Sequence, residues 1–340
     1  MTLWETTENL FNIEFLSQRL DERDLRLVTY SASGRSRVGA VIRNLVVDLN
    51  LLYSALLESK SESFPDTKAD LELPCKMENL IAKGMEGLER AKQAILFAQQ
   101  REFRIPGAVF SLPDVKFKAP VTKPSKIVCT GLNYEDYRIK LGLEYLPVPQ
   151  IFLKAPSTLI GHMDPIVIPQ GYGVVFHEWE FSCIIAKTCK DVQKEKVGET
   201  IFGYTIFNDI TAHDIESKSR ELQPWAKSFD TFGPMGPWIV TPDEMPKDIY
   251  NLRMVRRRNG KIEADSNTKN MQFHFDDIIS FVSSFWTLNP GDVITTASPP
   301  AGPIAVGDTI EAEIDGIGVL VNPVVSRRAN LEYAKRVGLT

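Results

Sequence analysis

Residues 173–186 read Gly-Val-Val-Phe-His-Glu-Trp-Glu-Phe-Ser-Cys-Ile-Ile-Ala, a strand-like apolar run interrupted by two acids, Glu178 and Glu180. Side chains alternate across a strand, so Glu178 and Glu180 share one face while His177, Trp179 and Phe181 share the other. Acids are poor strand formers, and two desolvated carboxylates repel unless a cation lies between them or one takes up a proton. A hard divalent cation resolves the conflict, because oxygen ligands suit Mg²⁺, Mn²⁺ or Ca²⁺. The plain alternative is the exposed face of an edge strand bearing two solvated glutamates. This segment alone does not choose between them.

Downstream, residues 202–209 (FGYTIFND) end in Asn208-Asp209 and run into a helix-like Ile210-Thr211-Ala212-His213-Asp214. Asp209 is either a helix cap or the third member of an oxygen triad. Residues 226–238 (AKSFDTFGPMGPW) set Lys227 among small and apolar residues before a Gly/Pro-rich loop. A lone lysine is ordinarily a solvated one.

Around this centre the chain is rich in short β-like runs: 126–134 (KIVCTGLNY), 164–169 (DPIVIP), 236–241 (GPWIVT), 252–258 (LRMVRRR), 291–298 (GDVITTAS) and 308–325 (DTIEAEIDGIGVLVNPVV). Few helices interrupt them; residues 274–288 (HFDDIISFVSSFWTL) are one candidate, with acids at the start and an apolar stripe. The spacing predicts a mainly antiparallel, β-dominated α+β domain rather than an alternating βαβ sheet. Nearer the start, residues 25–53 alternate apolar and polar positions around Ser33-Gly34, which predicts a small antiparallel meander. From about 49 to 100 the period shifts towards helix, most clearly in 77–100 (MENLIAKGMEGLERAKQAILFAQQ). A proline-spaced stretch, 105–126, then joins front to back. We place a soft boundary near residue 120, giving a smaller N-terminal α+β domain (1–120), a C-terminal catalytic domain (121–328) and a tail (329–340).

Composition narrows the classes. With 43% hydrophobic residues, the 340-residue chain can bury a sizeable core, yet no run approaches the length of a membrane span. The opening MTLWETTENLF carries acids where a leader would carry basic residues, so a cytoplasmic location is expected. Net charge is −5, and the one basic run, Arg256-Arg257-Arg258, precedes Asn259-Gly260, a hairpin-turn pair. That run reads as a solvated strand end, not a nucleic-acid surface. Cys75, Cys129, Cys183 and Cys189 form no CxxC pair and read as reduced thiols; the four histidines lack HExxH spacing, which argues against a zinc hydrolase. No Gly-rich phosphate loop or internal repeat is present.

Taken together, seven segments resemble the fumarylacetoacetate hydrolase family, in order along residues 126–325: KIVCTGLNYEDY, PQIFLKAPSTLIGHMDPIVIP, FHEWEFSCIIAK, FGYTIFNDITAHD, AKSFDTFGPMGPW, LNPGDVITTASPPAG and VGDTIEAEIDGIGVLVNPVV. The resemblance implies a mixed β-roll or β-sandwich fold, a homodimer, and a small-molecule substrate. It also implies Mg²⁺, Mn²⁺ or Ca²⁺ at an E-x-E…D site, carried here by Glu178, Glu180 and Asp209, with Mg²⁺ the first expectation. Family members act on 2-oxo acids and 1,3-dicarbonyl compounds by C–C hydrolysis, decarboxylation or tautomerisation. Lys227 matches the family lysine that adds positive charge where negative charge develops. Ser298, in Thr296-Ala297-Ser298-Pro299, falls on the threonine of the family's TGTP segment, so Ser298 and Thr296 are candidate substrate contacts.

Three departures from the family pattern bear on the reaction. Its GLNYxDH histidine, which with a glutamate three residues on activates water, is Tyr137 here, and the glutamate is Lys140. A tyrosine of ordinary pKa, about 10, is a poor base at neutral pH, and an ammonium cannot orient it as a carboxylate would. Tyr137 and Lys140 are therefore read as replacement catalytic groups that protonate an enolate or hold a carboxylate, or else as a solvated lid. The arginine of the family's SARD segment is His213, and the residue three beyond it is Glu216, so the pocket for the substrate's acidic end is altered. The expected function is metal-dependent activation of a β-dicarbonyl or 2-oxo acid through a chelated enolate, with C–C hydrolysis first. The alternative is a tautomerase, decarboxylase or lyase, including a tailoring enzyme of secondary metabolism; a non-catalytic binding protein is the third reading.

Overall fold

The computed structural model describes residues 25–32 and 34–339, so the N-terminal leader reading, and Ser33 of the predicted turn, lie outside the described residues. The meander is present: β1 (Arg26–Ala32), β2 (Arg35–Ile42) and β3 (Leu45–Asp48) pair antiparallel in sequence order. It stops at Asp48 rather than residue 53, because the Asp48 carboxylate caps the helix Leu49–Ser59 by accepting from Leu51 N. Helices Pro65–Glu72 and Met77–Gln99 follow. The last is broken at Gly84, where φ is +56°, a conformation that glycine adopts at little cost.

β4 (Val109–Ser111) adds to β3, and β5 (Lys116–Phe117) pairs with β1. Beyond residue 120 come β6 (Ile127–Gly131), the surface helix Glu135–Leu141, β7 (Gln150–Lys154), β8 (Leu159–Ile160) and β9 (Ile166–Pro169). The acidic run then proves to be two strands, β10 (Val175–His177) and β11 (Trp179–Ile185), followed by β12 (Ile201–Asn208) and β13 (Thr211–Ala212). Short helices His213–Glu216 and Gln223–Lys227 lead to β14 (Gly233–Val240). The hairpin β15 (Arg253–Arg258) and β16 (Lys261–Asn267) turns at Asn259 and Gly260, both with positive φ, as the sequence predicts. Arg256, however, is buried. Its guanidinium sits 5.0 Å from the Trp179 ring and donates to Pro300 O at 2.7 Å, so only part of the basic run is solvated. Helix Phe275–Ser283, opened by a His274/Asp277 capping box, confirms the helical candidate. β17 (Val293–Thr295), β18 (Gly302–Ile304), β19 (Thr309–Ile314), β20 (Gly318–Arg327) and helix Glu332–Arg336 are the last elements among the described residues.

These strands form three sheets. The large one runs β4-β3-β2-β1-β14-β12-β11-β17-β6-β7, a small one β13-β10-β18, and a third β16-β15-β19-β20-β9. Pairing is antiparallel except at β17–β6, β14–β8 and β20–β9, which matches the β-dominated α+β expectation of a mixed β-roll. The large sheet crosses residue 120 without interruption, since β1 lies between β2 and β14. One apolar cluster accordingly joins Leu27, Ala40 and Leu52 from the front to Ile127, Phe202 and Val293 from the back. Among the described residues no helix is long and apolar enough to cross a membrane.

Candidate active site

The chain passes from the small sheet to the large one at Glu178, between β10 and β11. Asn208, the last residue of β12, holds this crossing: its Oδ1 accepts from Glu178 N (3.0 Å), while Asp209 N donates to Glu178 O (2.8 Å). The next residue pairs, Trp179 with Asn208 and Glu180 with Phe207, continue as an antiparallel ladder. Thus the end of one strand and the start of another bring Glu178, Glu180 and Asp209 together, with one oxygen from each inside a 4.8 Å cluster. Alternation accounts for the remainder, sending Trp179 and Phe181 into the apolar core and Glu180 to the opposite face.

Asp209 caps no helix. Its Oδ1 accepts from Lys154 Nζ and its Oδ2 from Lys227 Nζ (2.6 Å), and Lys154 also donates to Ile210 O (2.9 Å). Burial would raise the Asp209 pKa, but the two lysines hold it below the usual carboxylate range. Burial would likewise lower Lys227, yet Asp209, Glu178 and Glu216 keep its ammonium well above its ordinary value. Lys227 Nζ further contacts Thr211 Oγ1 (2.8 Å) and Glu178 Oε1 (3.3 Å), and Thr211 in turn donates to Glu178 (3.0 Å). Glu178 is pushed up to about 7 by burial, against Lys227 and with Asp209 and Glu216 adding to the rise.

Glu180 is different. Its side chain is fully buried and neither carboxylate oxygen has a hydrogen-bond partner. Burial, reinforced by the Asp209 charge, pushes its pKa far up. Fully ionised, the three carboxylates would outnumber the two ammonium groups of Lys154 and Lys227 by one, a costly surplus in a buried site, and the rise in the Glu180 pKa is the response to it. An all-oxygen donor set with an orphaned buried carboxylate fits a hard divalent cation.

A cavity of about 240 Å³ opens beside this cluster. Glu178 and Lys227 form its charged end, and Tyr137, Glu216, Ser298 and Ala297 line it together with Gln150, Gln223, Phe152 and Leu132. Tyr137 is half-buried, and burial, with Glu178 and Glu216 nearby, raises its pKa, so it stays a phenol and a donor. Ser298 is buried with its hydroxyl on Pro299 O (2.7 Å). Ala297 takes φ +63°, the left-handed region that favours glycine.

Three predicted site residues are brought neither to the cavity nor to the carboxylate cluster. Lys140 is exposed on a surface helix without a buried residue, where its ammonium keeps its hydration. Thr296 is tied down behind the wall, its backbone N and Oγ1 both on Phe181 O. His213 instead stacks on Phe176, with ring centroids 4.3 Å apart. Conversely, sequence reasoning passed over Lys154, Thr211, Asn208, Gln150 and Gln223. A lysine inside the apolar strand QIFLK was the available signal, since a buried ammonium requires an acid.

The fumarylacetoacetate (FAA) hydrolase C-terminal family model matches residues 126–325. An oxaloacetate tautomerase (fahd2, mitochondrial) of Xenopus laevis is 36% identical over 266 residues, 75% of this chain and 80% of that relative. The crystal structure of maleylpyruvate hydrolase from Sphingobium sp. SYK-6, in complex with manganese (II) ion and pyruvate, is similar at TM-score 0.69 and 31% identity, covering 89% of this chain and 100% of that one. A 5-carboxymethyl-2-hydroxymuconate delta-isomerase from Mycobacterium smegmatis gives TM-score 0.68 and 28% identity over the same shares, 89% and 100%.

Proposed function

Because the chain belongs to the fumarylacetoacetate hydrolase family, we propose that it is a divalent-metal-dependent enzyme that handles the enolate of a 2-oxo acid or 1,3-dicarbonyl compound, with keto–enol tautomerisation the reaction its geometry favours. The observation that carries this reading is Glu180, fully buried beside Glu178 and Asp209 with both oxygens unpartnered. These three residues would hold Mg²⁺, Mn²⁺ or Ca²⁺. Such a cation supplies Lewis-acid polarisation of a chelated carbonyl.

This chain's own groups do the rest. The Lys227 ammonium, kept protonated by its acidic neighbours but with its donors on Asp209, Glu178 and Thr211, would stabilise negative charge developing on the substrate oxygen through its field rather than a free N–H. Tyr137 offers a phenolic proton at the cavity wall, and Ser298 and Gln150 offer hydrogen bonds to orient the ligand. Phe152 and Leu132 add apolar surface to the same wall. The wall is poor in groups that could take a proton from water. Among the described lining residues there is no imidazole, Tyr137 is a phenol, and the carboxylates of Glu178 and Glu216 face Lys227. C–C hydrolysis is the second reading, favoured by the likeness to the maleylpyruvate hydrolase.

The test is ¹H-NMR of 2-oxo acids in D₂O with Mn²⁺- or Mg²⁺-loaded protein. We expect metal-dependent exchange of the protons beside the carbonyl, lost in Glu180→Gln together with Mn²⁺ binding. Exchange that survives both chelation and Glu180→Gln would refute metal dependence. Incorporation of ¹⁸O from solvent into a new carboxylate would move the assignment to hydrolysis. Oxalate binding without exchange on any substrate would mark a binding protein.

A further inference from the structure

Beyond Glu178 and Lys227, the polar side chains lining the cavity are the Glu216 carboxylate, the amides of Gln150 and Gln223, and the hydroxyls of Tyr137, Ser298 and Thr130. Glu216 keeps 28% of its side chain exposed, and its Oε1 lies 3.9 Å from Lys227 Nζ. The Gln223 amide nitrogen donates to that same oxygen (3.3 Å), which turns the Gln223 carbonyl into a second acceptor. Lys227 itself is committed to Asp209, Glu178 and Thr211. The charge that Glu216 places on the wall is thus negative, beside a Gln223 amide whose nitrogen is already taken up by it.

A ligand that chelates a cation at Glu178, Glu180 and Asp209 must put its other end among these groups. A second carboxylate there would lose hydration and face the Glu216 charge with Lys227 already engaged. An amide or alcohol would instead donate to Glu216 or Gln223 and lose nothing to repulsion. We infer that this site selects 2-oxo acids or 1,3-dicarbonyls whose remote end is an uncharged hydrogen-bond donor, over those carrying a second carboxylate, and that Glu216 enforces the choice. The inference rests on the metal-chelating reading above.

A matched pair of probes separates the two. N-oxalylglycine and N-oxalylglycinamide share one chelating oxamate head and differ only in a remote carboxylate or carboxamide. Calorimetric titration of the Mn²⁺-loaded full chain is expected to show the amide binding at least about tenfold more tightly, with Glu216→Gln narrowing that ratio to within about threefold. The ratio cancels any loss of metal or head-group affinity in the variant. Gln223→Glu, adding a second acid, is expected to widen the ratio, which a merely damaged protein would not do. Equal or tighter binding of the acid, or a ratio unmoved by Glu216→Gln, overturns the inference while leaving the metal site intact. So does binding of oxalate with neither probe bound. Failure of oxalate itself to bind the Mn²⁺-loaded protein overturns the chelating reading, and the inference with it.

Discussion

At the scale of single residues, the site is a problem of buried charge. Asp209 is fully buried and shared by two ammonium groups, and Lys154 is 2% exposed, so neither ion gains from water. Removing one partner of such a set strands the other. Lys154→Met is expected to lower the stability of the metal-free protein by roughly 3 kcal/mol, and by less when Mn²⁺ is bound, because a cation would supply the missing charge. Chemical denaturation with and without Mn²⁺ measures both, and equal loss in the two states would count against the cation sharing Asp209. Ala297 supplies a second residue-scale case. Replacement by glycine is expected to stabilise the fold by about 1 kcal/mol, since a Cβ at φ +63° is strained, a change that thermal unfolding would register. Glu178 and Glu180 were legible as a charge problem from their place in an apolar run, whereas Asp209 and Lys227 became candidates through the family resemblance. Lys140 and His213 were candidates by alignment with a motif, and motif position does not say which way a flexible side chain turns.

At the scale of elements, the decisive event is the break between β10 and β11. One continuous strand would have set Glu178 and Glu180 on a single face of one sheet. The structure instead lets the chain change sheets at Glu178, and Asn208 spans the gap by accepting from the Glu178 amide. Asn208 itself is buried, 1% exposed. Asn208→Ala is expected to cost about 1–3 kcal/mol of stability and to weaken Mn²⁺ binding on the order of tenfold, through a displaced Glu178. Titration calorimetry on the folded variant would test this; unchanged metal affinity would mean that the crossing is held by other contacts. Local signals read the elements well where turn chemistry is explicit, as at Asn259-Gly260, and where acids open an apolar stripe, as after His274, but they passed over the cap at Asp48. They were silent on the strand break, because His177, Trp179 and Phe181 alternate with the acids through it as in any unbroken strand.

At the scale of the whole molecule, the large sheet and one of its apolar clusters run through the proline-spaced joint near residue 120. Elements on the two sides bury each other, so neither can lose its packing alone. The chain is expected to unfold in one calorimetric transition, with circular dichroism and tryptophan fluorescence coincident. Two resolved transitions would mean that the front part is an independent unit.

What the sequence by itself determined was the set of short-range facts. Alternation dictated strands, paired turn residues dictated the end of one hairpin, and a pair of acids inside an apolar run posed the choice between a solvated edge and a charge needing compensation. The ordered segments also assigned the family. Only the tertiary structure decided which distant groups meet that charge: Lys154 and Lys227 on Asp209, no paired ammonium on Glu180, and Glu216 with Gln223 on the cavity wall. The reason is physical. Local patterns follow from forces between neighbours in the chain, whereas the cost of an ion in a low-dielectric interior depends on every charge within a few ångströms, and those arrive from strands and helices far apart in sequence.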